Sequence, residues 1–588
     1  MSIAALIWSV VGLLTGGFVL RVWGFTVMSR NPLRPFAAAV ALAAIAVWAL
    51  GRDRSTSRLV LLAGTRARRA GHVAAFASLA AFAIAAAWNT RAAGGSDSSC
   101  YVLQADAFAH GRASLEPVLS EVPPGLSPAA LAPIGFIASP APPHAAVPIC
   151  ASGLALMMAP VLVAGRELVF LVVPVFAGLL VWWTFSFASR VADGATAACA
   201  AILLACSPIF LYQAVQPMSD VPAAALFMGA LVCALRGGRA SAFAAGALAS
   251  LAVLTRPNLV IVIAPLVLLL KNRDSATFPE NPDGPGLSES VKPGQSRFLW
   301  FVAGGVPAGI LLLALNAARY GGPLASGYGD SAGLFAWAHV APNLARYPRW
   351  LLETQSPLIV LALAGPVMLW ARGWRRVALA ATLSLAGVFA TYFAYTVFDD
   401  WWYLRFLLPA LPLLMVFMTF SMFAIARRLS RAHGRRGAVI VCALLASWYL
   451  DVAARRHAMD LRLLEARFRV TGEYAGRSLP ANVIVLAVQH SGSVRFYGGK
   501  PSLAWDGIDP SALDQVIALL RTRGFAPVIV LEDAEEQPFR TRFATQGAGQ
   551  LDWPPAAEVH GRVRVRVYDP AQRNAFLTGA RIATEHIR

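Results

Sequence analysis

The sequence predicts a polytopic α-helical membrane protein of about 13 transmembrane helices, with a re-entrant or juxtamembrane helix in the first large external loop and a small C-terminal α/β domain outside the membrane. Three observations lead there. The chain is 57% hydrophobic and only 14% charged, with a mean hydropathy of +0.59, whereas a soluble domain carries about 25% charged residues. Its apolar runs approach the length of about 20 residues that a helix needs to cross a bilayer. Beyond residue 455 the long runs stop and short β-branched runs replace them.

Taken in order, the candidate spans are 5–23, 34–50, 72–90, 168–188, 196–213, 221–235, 241–254, 257–270, 299–318, 350–371, 377–396, 404–425 and 437–454. The first lacks a basic leader and a small-residue cleavage site, so it reads as a retained helix and not a signal peptide. The net charge of +19 is carried almost wholly by arginine. The arginines cluster between apolar runs, the pattern of cytoplasmic loops, so nucleic acid is not an expected partner. Arg52, Arg54, Arg58, Arg66, Arg68 and Arg69 put the loop after the second span in the cytoplasm, and the loop after the third outside. Segment 147–164 is apolar too. Counting it as a span would move the clusters at Arg190, 236–239, 271–273, 372–376 and 427–436 outside. Reading it as re-entrant or surface-lying, with Pro148 and Pro160, keeps every cluster inside. The N-terminus is then cytoplasmic and the C-terminus external, in the inner (plasma) membrane.

Three units follow: an N-terminal hairpin with its arginine-rich loop (1–71), a membrane domain (72–455), and an external domain (456–588). The loop 271–297, rich in Pro, Gly, Ser and acids, reads as a cytoplasmic linker. In the tail, 483–488 and 528–531 read as buried strands, 511–523 as a helix and 562–568 as an alternating strand. Of the six cysteines, Cys100 and Cys150 alone fall outside the membrane. They are free to pair, although their spacing gives no support for it.

Four external stretches carry chemistry. Asp97, Tyr101 and Gln104 are spaced to share one helix face if 96–104 is helical. Asp220 ends Gln216-Pro217-Met218-Ser219-Asp220 at the outer end of a span. Arg319-Tyr320-Gly321-Gly322 is followed by Gly327-Tyr328. Arg405 lies in Asp399-Asp400-Trp401-Trp402-Tyr403-Leu404-Arg405-Phe406. A carboxylate there can take a proton from an acceptor hydroxyl, and Arg256, Arg319 and Arg405 can hold a phosphate through paired N–H donors. No P-loop, metal-ligand cluster, GxSxG elbow or dinucleotide fingerprint is present. Plainer readings stand beside these. Asp97 also fits a loop charge or helix cap, and Asp220 before Val221-Pro222 an N-cap. Arg256 also fits a snorkelling side chain. Asp399 and Asp400 could simply offset Arg405. Trp401, Trp402 and Tyr403 suit an interfacial aromatic belt, and His110 and His144 a structural role.

Taken together, the acid in Asp97-x-x-x-Tyr101, Pro142-Pro143-His144 with Pro148, Met218-Ser219-Asp220, Leu254-Thr255-Arg256-Pro257, Asn316…Arg319-Tyr320-Gly321…Tyr328 and Arg405-Phe406-x-x-Pro409 resemble the GT-C superfamily of membrane glycosyltransferases. The resemblance runs through about 90–410 and covers both the dolichyl-phosphate-mannose-protein mannosyltransferase-like and the aminoarabinose-transferase-like members. It implies a polyprenyl-phosphate sugar donor and a glycolipid, polysaccharide or protein acceptor. It also implies Asp97 as general base, with Tyr101, Asp220, Arg256, Arg319, Tyr328 and Arg405 contacting substrate. No metal ligand is assigned, and a divalent cation is left open. The chain departs from the family pattern in having a lone Asp97 where many members carry adjacent acids. It also reads Ala-Ala-Val-Pro-Ile-Cys after His144. Two other functions compete: a secondary transporter, for which acids near the bilayer midplane and matching halves would be expected, and a membrane assembly subunit whose external domain binds a partner.

Overall fold

The computed structural model describes residues 18–22, 25–29, 59–139, 145–270, 296–329 and 333–587, with side chains described from residue 69 onward. Phe18–Val22 (β1) and Phe25–Ser29 (β2) pair antiparallel, with Val22 opposite Phe25. This corrects the expected first span, 5–23, at its C-terminal end. Aromatic and β-branched residues at 18, 19 and 22 favour a pleated strand over a helix. The expected span 34–50, Arg52, Arg54, Arg58, the 142–144 motif with His144, and most of the 271–297 linker lie outside the described residues.

Leu59–Ala87 (α1) leads to Gly95–Ala109 (α2), the helix that carries Asp97. A two-stranded sheet, Phe136–Ala138 (β3) with Ala146–Pro148 (β4), precedes Ser152–Ala164 (α3). At 13 residues α3 rises about 20 Å, short of a hydrocarbon core of about 30 Å. A disulfide between Cys100 and Cys150 ties α2 to the turn before α3. Sequence spacing had left that bond open; the fold brings the two Cα atoms to 6.4 Å.

The membrane bundle continues with Val172–Val191 (α4), Gly194–Cys206 (α5), Pro208–Ala214 (α6), Asp220–Leu235 (α7) and Arg239–Thr255 (α8). After Ile263–Val267 (α9) and Arg297–Tyr320 (α10) come Val340–Gln355 (α11), Gly365–Ala371 (α12), Arg375–Phe393 (α13), Leu411–Leu429 (α14) and Gly434–Arg455 (α15). Among the described residues, six helical segments are long and apolar enough to cross a membrane, or up to eight if each of two bent pairs is one span. The chain is a multi-pass membrane protein. The expected span 221–235 forms α7, and all 16 of its residues are buried by neighbouring helices. The expected span 350–371 is broken at Ser356, where φ is +64° and Pro357 follows. The two halves meet at 107°, so 337–355 runs across the direction of 357–371. Helices α8 and α10 approach through Gly246 and Gly304. A Cβ on either would lie 1.8–2.0 Å from the carbonyl oxygen of Phe301 or Phe243, the small-residue contact typical of membrane helices.

Leu461–Ser478 (α16) leads into the C-terminal α/β unit: Val483–Leu486 (β5), Ser491–Gly498 (α17), Ser502–Leu503 (β6), Leu513–Thr522 (α18) and Ala526–Glu532 (β7). Asp533–Arg542 (α19), Ala557–Val559 (β8), Val565–Tyr568 (β9), Gln572–Leu577 (α20) and Glu585–Ile587 (β10) complete it. The sheet order is β10-β8-β9-β7-β5-β6. The run Val483–Leu486 is buried along its whole length because helices cover both faces, as a central parallel strand requires. This unit holds α2. The Ser491 hydroxyl accepts from Ile134 N–H at 2.9 Å, and the Tyr497 hydroxyl accepts from Ala93 N–H at 3.0 Å. Phe468 fills the space beside Gly94, where a Cβ would sit 2.0 Å from its ring.

A cavity with two acid–arginine pairs

Asp97 occupies the first turn of α2, where the amide ends of the helix favour a carboxylate. Its Oδ2 accepts from Nη2 of Arg405 at 2.8 Å. Arg405 projects from the 3-10 turn Trp401–Leu407, just ahead of Pro409, and its Nη1 also meets the Met218 sulfur at 3.6 Å. Asp220 opens α7 and pairs with Nη1 of Arg256. Thr255 ends α8 because Pro257 cannot continue it, leaving Arg256 extended between two helical segments. Nε of Arg256 donates to the Tyr392 hydroxyl at 2.9 Å.

Phe406 joins the two pairs. The Arg256 guanidinium lies 5.3 Å from its ring centre and that of Arg405 lies 5.1 Å away, while Tyr392 stacks on the same ring at 5.1 Å. Both contacts fall within cation–π range. The Tyr101 hydroxyl donates to Ser219 Oγ at 2.7 Å, linking α2 to the start of α7. The Asp220 side chain is only 3% exposed, whereas that of Asp97 is 39% exposed. The inner pair is therefore sealed, and the outer acid is reachable.

Both pairs line one cavity of about 250 Å³. Residues from all four sequence stretches meet there: Asp97 and Tyr101, Met218 to Asp220, Tyr320 and Tyr328, and Arg405 with Phe406. Burial pushes the Tyr101 hydroxyl well above the ordinary phenol value, and the negative charge of Asp97 adds to this. That phenol stays protonated and donates to Ser219, while Tyr328 lines the cavity from an exposed position.

Arg319 does not line the cavity. It is buried elsewhere, donating to Ala113 O at 2.8 Å and Ser152 Oγ at 2.7 Å beneath Phe108. Neighbouring helix residues are about 100° apart, so at the end of α10 it is Tyr320 that faces the cavity, with its hydroxyl donating to Pro148 O. Asp399 pairs with Arg346 and so does not serve as counter-ion to Arg405. His110 is exposed, with Nδ1 2.8 Å from Asp106 O, and is not among the residues around the cavity. Tyr212 packs edge-on to Trp401 and stacks on Trp402. A divalent cation among these acids would have to displace an arginine from each carboxylate it used.

No protein-family model matches the chain, and no curated protein matches it in sequence. Solved structures do. The chain is similar to ArnT from Cupriavidus metallidurans in its apo state, at 14% identity and a TM-score of 0.49 over 89% of this chain and 99% of that one. The same protein bound to undecaprenyl phosphate matches at 13% identity and a TM-score of 0.47, over 87% and 98%. The Archaeoglobus fulgidus oligosaccharyltransferase, tethered to an acceptor peptide, matches at 12% identity and a TM-score of 0.46, over 80% and 71%.

Among the cavity residues that the sequence did not single out is Tyr392. It sits in the aromatic-rich run Tyr392-Phe393-Ala394-Tyr395 at the end of α13, which reads as an interfacial belt. The available signal was the tyrosine hydroxyl: a Tyr in a buried run needs a polar partner, and Tyr392 has Arg256.

Proposed function

We propose that this chain is an inverting glycosyltransferase, moving one sugar from a polyprenyl-phosphate donor to an acceptor hydroxyl at the external face of the membrane. The observation that carries the reading is the convergence of the two acid–arginine pairs on one cavity. Transfer of a glycosyl group needs a base for the incoming hydroxyl and positive charge for the departing phosphate, and the cavity holds both.

In the proposed step Asp97 takes the proton of the acceptor hydroxyl. The acceptor oxygen bonds to the anomeric carbon from the side opposite the phosphate, so the configuration inverts. The bond from that carbon to the phosphate oxygen breaks, and its electron pair stays on the phosphate. Arg405 holds that growing charge directly, and Arg256 adds positive charge from the cavity wall while it stays paired with Asp220, with Tyr101 and Tyr328 nearby. Arg405 donates to Asp97. A donor phosphate entering the cavity competes for that guanidinium and releases the carboxylate to act as base. The lipid tail would follow α10, which contributes Leu312 and Asn316 to the cavity and presents Ile310 and Leu313 on its outer surface. On this reading the cavity, the loop of α2 and the C-terminal unit are external, and the N-terminus is cytoplasmic. The acceptor is a glycolipid, polysaccharide or protein.

Purified chain given candidate polyprenyl-phosphate sugars tests this directly. Asp97→Asn removes the base and lowers transfer by about 10²- to 10⁴-fold in protein that is otherwise intact. Undiminished transfer by that variant would sink the mechanism.

A further inference from the structure

The C-terminal unit brings three ligand-type side chains together on one sheet face, far in sequence from the cavity. Glu558 lies at the centre of β8. Its partner across the ladder to β9 is Arg566, and its partner across the ladder to β10 is His586. Cross-strand partners project to the same face, so Arg566, Glu558 and His586 form a row. His560, two residues beyond Glu558, returns to that face. Its backbone N–H donates to Ile587 O at 2.8 Å, which fixes it beside the last strand.

The atoms form a triangle. Nε2 of His560 and Nδ1 of His586 are 2.9 Å apart, and Oε2 of Glu558 lies 3.5 Å from the first and 3.7 Å from the second. The two longer edges exceed ordinary hydrogen bonds, so neither imidazole satisfies that oxygen well. A tetrahedral ion with ligand distances of about 2.05 Å holds its ligand atoms about 3.4 Å apart, close to the middle of these three edges. The carboxylate is also aimed. Nε of Arg566 donates to Oε1 at 3.0 Å, leaving Oε2 to the imidazoles, an outer contact of the kind that orients metal ligands. Arg566 meets Glu536 and Asp533 as well, and Arg564 meets Asp533. Arg566 is thus shared among three acids, Glu558, Glu536 and Asp533, so its charge does not neutralise Glu558 alone.

We propose that Glu558, His560 and His586 bind one first-row transition dication of the Zn²⁺ class and so fasten β10 to β8. Two imidazoles and a carboxylate are a zinc ligand set with a fourth position for water. The same donors suit Cu²⁺ and Ni²⁺. The site stands apart from the sugar transfer proposed above and does not depend on it.

The test uses the full chain in detergent micelles, stripped with a chelator, dialysed, and titrated with Zn²⁺ alone by calorimetry. One saturable equivalent is expected. His560→Ala and His586→Ala should each lower the affinity at least tenfold. Glu558→Gln, which keeps the side-chain volume, should lower it too and serves where a histidine variant fails to fold. Co²⁺ should give the visible bands of a tetrahedral site in the native chain and lose them in the variants. Absence of saturable binding overturns the proposal. So does unchanged affinity in the His560→Ala/His586→Ala double variant, which would mark an adventitious ion elsewhere.

Discussion

If Asp97 and a donor phosphate compete for Arg405, then removing the acid should tighten donor binding while abolishing transfer. Replacing Asp97 by Asn deletes the negative partner that accepts from Arg405 at 2.8 Å. Charges about 4 Å apart attract by about 1 kcal/mol in water and about 4 kcal/mol at a dielectric of about 20. The 39% exposure of the Asp97 side chain places this pair toward the weaker end, at about 1–2 kcal/mol. Loss of repulsion between the carboxylate and the incoming phosphate acts in the same direction. With tenfold for each 1.4 kcal/mol, the variant should bind a polyprenyl phosphate about 5- to 30-fold more tightly than the native chain. The assay is equilibrium binding of the lipid phosphate in micelles, with the matching polyprenol as uncharged control. The polyprenol should bind both forms alike. Equal or weaker phosphate binding by Asp97→Asn would refute the exchange of partners at Arg405, even if transfer were lost.

Asp220 and Arg256 form the sealed pair, and breaking one side leaves a buried charge uncompensated. Asp220→Asn and Arg256→Met should each cost about 3–5 kcal/mol of stability, and the double replacement much less than their sum; additive losses in a double-mutant cycle of unfolding would contradict the pairing. In the C-terminal unit burial pushes the Glu535 carboxyl up to about 7, although it accepts from the backbone N–H groups of Glu532 and Gln489. The folded state then holds a proton that the unfolded chain releases above about 4.5, so this stabilisation is complete below about pH 4.5 and lost as pH rises through 7. Glu535→Gln stays neutral, and its stability relative to the native chain should climb between pH 5 and 8 by up to about 3 kcal/mol; a difference independent of pH, in melts followed by tryptophan fluorescence, would contradict this.

The elements most legible in the sequence were those set by local physics. Leu411–Leu429 and Gly434–Arg455 form where long apolar runs end in arginines. Val483–Leu486 and Ala526–Glu532 form where short β-branched runs demand a buried ladder. Hydropathy located Asp220–Leu235 as a helix within one residue, but it carries no record of what covers that helix, and neighbouring helices bury every residue of it. It misled at Ser356, since a window average is blind to a single left-handed residue ahead of proline. The Cys100–Cys150 bond was open for a related reason: β3 and β4, which lie between the two cysteines, pair antiparallel and turn the chain back, and no local pattern encodes that return.

The cavity shows the same division more sharply. Asp97, Asp220, Arg256 and Arg405 could each be picked out singly, because a charge at the end of an apolar helix is costly and asks for a reason. Their pairing could not. Arg405 and Asp97 are 308 residues apart, and the sequence offers Asp399 and Asp400 as nearer partners. The fold instead gives Asp399 to Arg346 and leaves Arg405 for Asp97. That choice matters for the reading of the site. An arginine balanced by an acid on its own loop would gain a second anion only weakly, with its first partner still beside it. An arginine balanced by an acid on a different element can exchange partners, and the acid it releases stands in the same cavity. On the proposed function the outer pair is thus a store of base that the donor's own phosphate discharges, while the sealed Asp220–Arg256 pair holds the far wall fixed. A neutral sugar entering alone would find both guanidiniums occupied and the base engaged, so selectivity for a phosphate ester follows from the pairing rather than from any one residue.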